Sequence, residues 1–273
     1  MNERMKPENN FEGNYLPLGK AIYANNAKRL AELLEKKTVS IDSVGRGGDS
    51  GKPTLLMYAV MLESPDMVET LLKHGANPEQ DCLLRRRMKT VDHSTGKEIL
   101  FRKENPLNWA TERIKNVSKS KKIAGLLIDH GADINGFGHY YYSPLINALM
   151  GHDGTDMVDF LLEKGADINA YGDKMGSTPL RTAPNTGDWN RVGYLLDRGA
   201  DPKVISFSGW DLMWDVDRVL RKCAKDQIPY FEKLKNRLIN EYGMTSPAVQ
   251  DKEKGDAICD SVYRAKGWER RTK

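Results

Sequence analysis

Residues 143–169 read SPLINALMGHDGTDMVDFLLEKGADIN. A proline opens a short apolar segment, with alanine three residues after the first leucine. A polar turn, His152-Asp153-Gly154, leads to a second apolar segment that ends in Leu161-Leu162 and is closed by Gly165-Ala166-Asp167. The same order recurs along the chain. The leucine–alanine pairs are Leu18/Ala21, Leu56/Ala59, Leu107/Ala110, Leu145/Ala148 and Leu180/Ala183, with leucine-to-leucine steps of 38, 51, 38 and 35 residues. The apolar doublets are Leu33-Leu34, Leu71-Leu72, Leu127-Ile128, Leu161-Leu162 and Leu195-Leu196. Four units close on Gly75-Ala76-Asn77, Gly131-Ala132-Asp133, Gly165-Ala166-Asp167 and Gly199-Ala200-Asp201. Self-similarity at this period implies a stacked array, in which each unit buries its apolar face against the next. Such an array points to a binding surface as the seat of function.

Each residue type has a physical reason. Proline suits the first helical position, where its missing N–H would be unpaired anyway. A small alanine lets neighbouring helices approach. Glycine after the second helix can adopt the left-handed conformation that closes a helix, and Asp or Asn next can bond its own backbone to start a turn. The predicted unit is therefore helix, tight turn, helix and hairpin-like loop.

The pattern resembles the ankyrin repeat, whose opening is Thr-Pro-Leu-His-x-Ala. Here the openings are Leu16-Pro17-Leu18, Thr54-Leu55-Leu56, Pro106-Leu107, Ser143-Pro144-Leu145 and Thr178-Pro179-Leu180. The resemblance covers residues 15–203 and implies an all-α ankyrin-repeat solenoid with a helical C-terminal cap. The family's histidine is replaced by Gly19, Met57, Asn108, Ile146 and Arg181, which predicts a softer array, and Lys37-Thr38 stands where the first unit's Gly-Ala is expected.

The expected organisation is an N-terminal tail over 1–14, five repeats over 15–203 with an inserted hairpin at about 81–104, and a degenerate sixth repeat, helical cap and tail over 204–273. The hairpin is read from spacing: Gly75 to Leu107 is 32 residues, whereas Gly131 to Leu145 is 14. Charged and apolar residues alternate loosely there on either side of Asp92-His93-Ser94-Thr95-Gly96. In the cap, Met213 and Val216 stand where a sixth Leu and Ala would be. Ile228, Phe231, Leu234, Leu238 and Ile239 follow at helical spacing.

The chain of 273 residues is 39% hydrophobic with net charge +4. No apolar run approaches the ~20 residues of a membrane span, and the first ten residues carry no signal-peptide core. The expectation is a cytoplasmic protein, or a periplasmic one if a signal sequence has been removed, and a monomer on its own. Three scattered cysteines do not form a disulfide framework. The sequence has no phosphate-cradling glycine loop, His-Glu-x-x-His or Gly-x-Ser-x-Gly. It assigns no catalytic residue, cofactor or metal, and no nucleic-acid partner. Asp133, Asp167 and Asp201 recur at one repeat position, so turn formation accounts for them.

The candidate partner-binding residues are aromatic and basic, the types enriched where proteins meet. Phe137, His139, Tyr140 and Tyr141 crowd one loop. Tyr171, Lys174 and Met175 occupy the next, and Phe207 and Trp210 the one after. Arg85, Arg86 and Arg87 form the densest basic run, in the insertion. The expected function is non-enzymatic binding of a protein partner. The irregular repeats and long insertions are similar to bacterial ankyrin proteins that neutralise secreted type VI phospholipase toxins as immunity proteins. An adaptor with another partner and a host-directed effector stay open as alternatives.

Overall fold

The computed structural model describes residues 5–43, 52–91, 98–112, 115–136, 142–151, 155–172 and 176–265, with backbone alone at 85–91 and 98–103. Two compact units divide the chain, Met1–Ala166 and Asp167–Lys273.

In the first unit the helices are α1 (Tyr15–Tyr23), α2 (Ala27–Leu34), α3 (Leu55–Met61), α4 (Pro65–Lys73), α5 (Pro106–Glu112), α6 (Val117–Asp129), α7 (Pro144–Met150) and α8 (Asp156–Glu163). Strands β1 (Cys82–Val91) and β2 (Glu98–Glu104) stand between α4 and α5. The helices pair as the repeat predicts, α1 with α2 through α7 with α8. The second unit holds α9 (Pro179–Thr182), a 3-10 turn at Ala183–Thr186, α10 (Asn190–Leu196), α11 (Leu212–Leu220), α12 (Ile228–Tyr242) and α13 (Lys252–Ala265). The architecture is an all-α repeat solenoid.

From α3 onward the first helix of each pair starts where a side chain caps it, whereas α1 starts at Asn14 without one. Thr54 accepts the N–H of Met57 at 3.1 Å, Ser143 that of Ile146 at 3.4 Å and Thr178 that of Arg181 at 3.4 Å. Asn105 takes this role before α5, accepting from Leu107 at 2.8 Å, and Asp211 before α11, accepting from Trp214 at 3.4 Å. Each cap satisfies a donor that the helix start leaves orphaned.

Gly75, Gly131, Gly165 and Gly199 close the second helices with φ of 88°, 98°, 94° and 87°. Each glycine N–H bonds the carbonyl three residues back and the following alanine N–H the one five back, as in Gly165 to Leu162 and Ala166 to Leu161. The Asx residue then bonds ahead: Asp133 accepts from Asn135 at 3.0 Å and Asp167 from Asn169 at 2.8 Å. Lys37 fills the glycine position of the first pair, with φ of 50°.

A strap joins successive turns, which the sequence reading did not anticipate. Asp42 accepts the N–H of Asn77 at 2.8 Å, and Glu79 that of Asp133 at 2.9 Å. In the second unit Asn169 accepts that of Asp201 at 2.8 Å.

The core follows the repeat, with Leu56, Ala59, Leu71, Leu145, Ala148, Leu161, Leu180 and Leu195 buried. Only the first residue of some doublets is fully covered. Leu162 and Ile128 are half-buried, as are both Leu33 and Leu34 in the first pair.

Within the segment expected as a tail over 1–14, Pro7, Asn10 and Phe11 are buried, while Lys6, Glu8, Asn9 and residues 12–14 are exposed. Phe11 is 1% exposed, meets Tyr58 edge-on at 4.9 Å and lies on Gly19, where a Cβ would come within 2.4 Å of its ring. Glycine stands at the family's histidine position in the first unit because that ring occupies the space. Met57 and Ile146, at the same repeat position, are fully buried.

In the second unit Leu212, Met213 and Val216 of α11 are buried, as are Phe231, Leu234 and Leu238 of α12; Ile239, expected inside, is exposed. Asp217 joins three segments. It accepts from Lys235 of α12 at 3.0 Å, from the Ser246 hydroxyl at 2.8 Å and from the Ala248 N–H at 2.9 Å.

Candidate functional site

Of the residues expected to bind a partner, Phe137, His139, Tyr140, Tyr141, Lys174 and Met175 lie outside the described residues. Arg85, Arg86 and Arg87 are described by backbone only, within β1. Tyr171, Phe207 and Trp210 lie in the second unit.

Strands β1 and β2 pair antiparallel, from Cys82 opposite Glu104 and Arg85 opposite Phe101 to Thr90 opposite Ile99 and Val91 opposite Glu98. The register breaks between Arg85 and Thr90, so residues 86–89 of β1 stand against Leu100 alone on β2. The base of the hairpin is anchored. Cys82 and Leu84 are buried with Met57, and Met61 and Trp109 pack on them. Burial pushes the Cys82 thiol up to about 12, so it stays protonated at neutral pH and serves as a small apolar group. Leu83, between these two anchors, is 45% exposed.

The aromatics of the second unit are not free loop tips. Tyr171 is half-buried, and its hydroxyl donates to the Ile205 carbonyl at 2.9 Å. Burial raises the pKa of that hydroxyl, with Arg181 acting the other way. Its ring packs on Phe207 at 5.3 Å, and Phe207 in turn meets Tyr263 of α13 at 6.1 Å. Phe207 also rests on Gly176, where a Cβ would come within 2.4 Å of its ring. These two rings therefore serve the fold in large part. The sequence reading placed them on loops; in the structure Phe207 packs on Tyr171, and Tyr263 of α13 packs on Phe207.

Trp210 leads to a different arrangement. It stacks on Trp214 at 5.5 Å with an interplanar angle of 29°, and the Arg218 guanidinium lies over Trp214 at 4.8 Å. Both tryptophans are half-buried, and Arg218 is 49% exposed. Below them Asp215 pairs with Arg181 at 2.9 Å and with Arg218 at 3.6 Å. Arg181 also donates to the Trp210 carbonyl. Burial pushes the Asp215 carboxyl above the usual carboxylate range, and the two arginines oppose it. Arg181, at the family's histidine position, thus ties α9 to α11. Trp214 and Arg218 were missed from sequence, although they are spaced four apart on one face of α11, with Trp210 just ahead of that helix.

Residues 54–82 match the ankyrin repeat profile, and residues 107–206 match the profile for ankyrin repeats in three copies. The chain carries ankyrin repeats. No curated protein matches it. Ankyrin repeats are protein–protein interaction modules. The matched ranges end at residue 206, ahead of Trp210 and of α11, which carries Trp214 and Arg218. No helix among the described residues is long and apolar enough to cross a membrane.

Proposed function

We propose that this chain is a non-enzymatic binder of one protein partner, and that the partner is a secreted, phospholipase-like type VI toxin which the chain neutralises as a bacterial immunity protein. The binding reading is carried by the Trp210–Trp214–Arg218 stack, two half-buried tryptophans capped by a half-exposed arginine. Tryptophan and arginine dominate binding hot spots, because they offer large areas that shed water on contact. Ankyrin repeats supply the rigid support. The immunity reading rests on the likeness of the irregular, inserted repeats to bacterial proteins of that role. Phe137, His139, Tyr140, Tyr141, Tyr171, Lys174 and Met175 are further proposed partner contacts, on the strength of their residue types alone.

The test is capture of the partner by the full chain, identification of that protein, and titration of its lipase activity with purified chain. Inhibition at one-to-one stoichiometry supports immunity, and Trp214→Ala should weaken binding about thirtyfold or more. A captured partner without enzymatic activity would replace immunity with an adaptor role. Unchanged affinity in Trp214→Ala would remove the stack from the interface.

A further inference from the structure

We infer that the bulged hairpin of β1 and β2 is an electrostatic docking arm for an acidic face of the protein partner, an inference that rests on the protein-binding reading above.

Charge partition is the first observation. The chain holds 42 Lys and Arg against 38 Asp and Glu. Six of the cations, Arg85, Arg86, Arg87, Lys89, Arg102 and Lys103, lie on the two strands, with two acids, Glu98 and Glu104. The remainder holds 36 of each and is neutral, so the entire net charge of +4 resides on these strands. Glu104 is 1% exposed at the buried base, which leaves the rest of the arm more basic still.

Geometry is the second. The base is seated by Cys82 and Leu84, while the ten residues of β1 give a reach of up to roughly 30 Å. Arg86, Arg87 and Lys89 fall in the stretch where four residues of β1 face one of β2. A bulge interrupts ladder pairing and re-aims the chain, and such irregularities concentrate near functional sites.

An acidic protein surface fits this arm better than a nucleic acid or a lipid bilayer. Outside the strands cations and anions are equal in number, so the basic excess is limited to the six cations of the arm, whereas nucleic-acid binding draws on neutralising many phosphates. The strands also carry the apolar residues Leu83, Met88, Ile99 and Phe101 beside the cations, and Leu83 is exposed. Charge beside apolar area is the composition of a protein interface rim and core. The arm would act mainly on association rate, through long-range attraction that salt screens.

The experiment measures binding of the full chain to a fluorescent peptide of alternating glutamate and serine at low and physiological salt. A DNA duplex and phosphatidylcholine–phosphatidylglycerol vesicles are run alongside. The peptide should bind, more weakly as salt rises. Arg85→Ser, Arg86→Ser and Arg87→Ser together should weaken it about tenfold. A control that removes the same charge from exposed Lys28, Lys36 and Lys225 should leave binding unchanged. Should the β1 variant fail to fold, Arg102→Ser with Lys103→Ser on β2 makes the same test. Equal loss in the hairpin and control variants would overturn the inference, as would tighter binding of DNA or vesicles, or no binding of the peptide. Capture of a protein partner by a chain that ignores the peptide would overturn the arm and leave the protein-binding reading standing.

Discussion

At the scale of single residues, Lys37 shows how the repeat tolerates a departure. Its φ of 50° lies where L side chains are strained, yet its N–H still bonds the Leu34 carbonyl at 3.0 Å, as the repeat glycines do in their turns. Lys37→Gly should therefore stabilise the protein by about 0.5–1 kcal/mol, the relief of left-handed strain outweighing the entropy glycine adds to the unfolded chain. Thermal unfolding of the two proteins checks this, and an unchanged or lower midpoint counts against it. Asp217 illustrates the reverse, a residue fixed by its partners. Burial acts to raise its pKa, but Ser246, Lys235 and the Ala248 N–H outweigh that and leave the carboxyl below its ordinary value. A depressed carboxylate contributes stability that is present above the unfolded pKa and lost as pH falls through the folded one. The acid-sensitive window thus lies below about pH 4. Asp217→Asn should cost about 2 kcal/mol at neutral pH and flatten the stability profile in that window. Denaturant titrations at neutral and acid pH would show a constant gap if this linkage is absent.

At the scale of elements, α13 depends on two glycines. A Cβ on Gly255 would lie 2.6 Å from the Gly209 nitrogen and 2.8 Å from the Phe207 carbonyl oxygen, and one on Gly209 would lie 2.3 Å from the Asp251 carbonyl oxygen. Backbone meets backbone here, with the Asp251 N–H bonding Gly209 at 2.9 Å and the Gln250 amide donating to Ser208 at 2.8 Å. Gly255→Ala leaves the helix able to form, and adds intrinsic helix propensity, but denies it its seat. The expected outcome is undocking of α13: faster proteolysis after residue 243 and a loss of stability of about 1–3 kcal/mol from overpacking. Protection equal to that of the parent would show that the loop at 206–210 yields instead.

At the scale of the whole molecule, repeats hold one another through their neighbours, so a cut inside the array uncovers an apolar face. Within the second unit, α12 covers the preceding pair. Phe231 meets Trp189 edge-on at 4.9 Å, the Tyr230 hydroxyl donates to the Trp189 carbonyl at 2.8 Å, and Arg237 pairs with Asp197 at 2.7 Å. A chain ending at Asp201 loses all three contacts and the Arg181–Asp215 pair. It should self-associate on size exclusion. A monomeric truncated chain of equal melting temperature would show that α11 and α12 do not act as the cap.

The repeat was legible because its determinants are local. Proline at a helix start, glycine at a left-handed turn and Asx ahead of it are each required by the backbone within a few residues, and recurrence multiplied the signal. Spacing revealed the hairpin as an insertion, because the extra residues had no place in the period. Long-range partners were beyond its reach. Nothing near Gly19 indicates that Phe11 lies on it, nothing near Arg181 indicates Asp215, and Tyr171 and Phe207 read as exposed until α13 is seen to cover one of them. The amino-acid sequence by itself determined the helix pairs and their core face, since these follow from short-range hydrogen bonding and apolar periodicity. Which aromatics remain half-open to a partner was decided only by the tertiary structure, since exposure depends on segments that return from far along the chain.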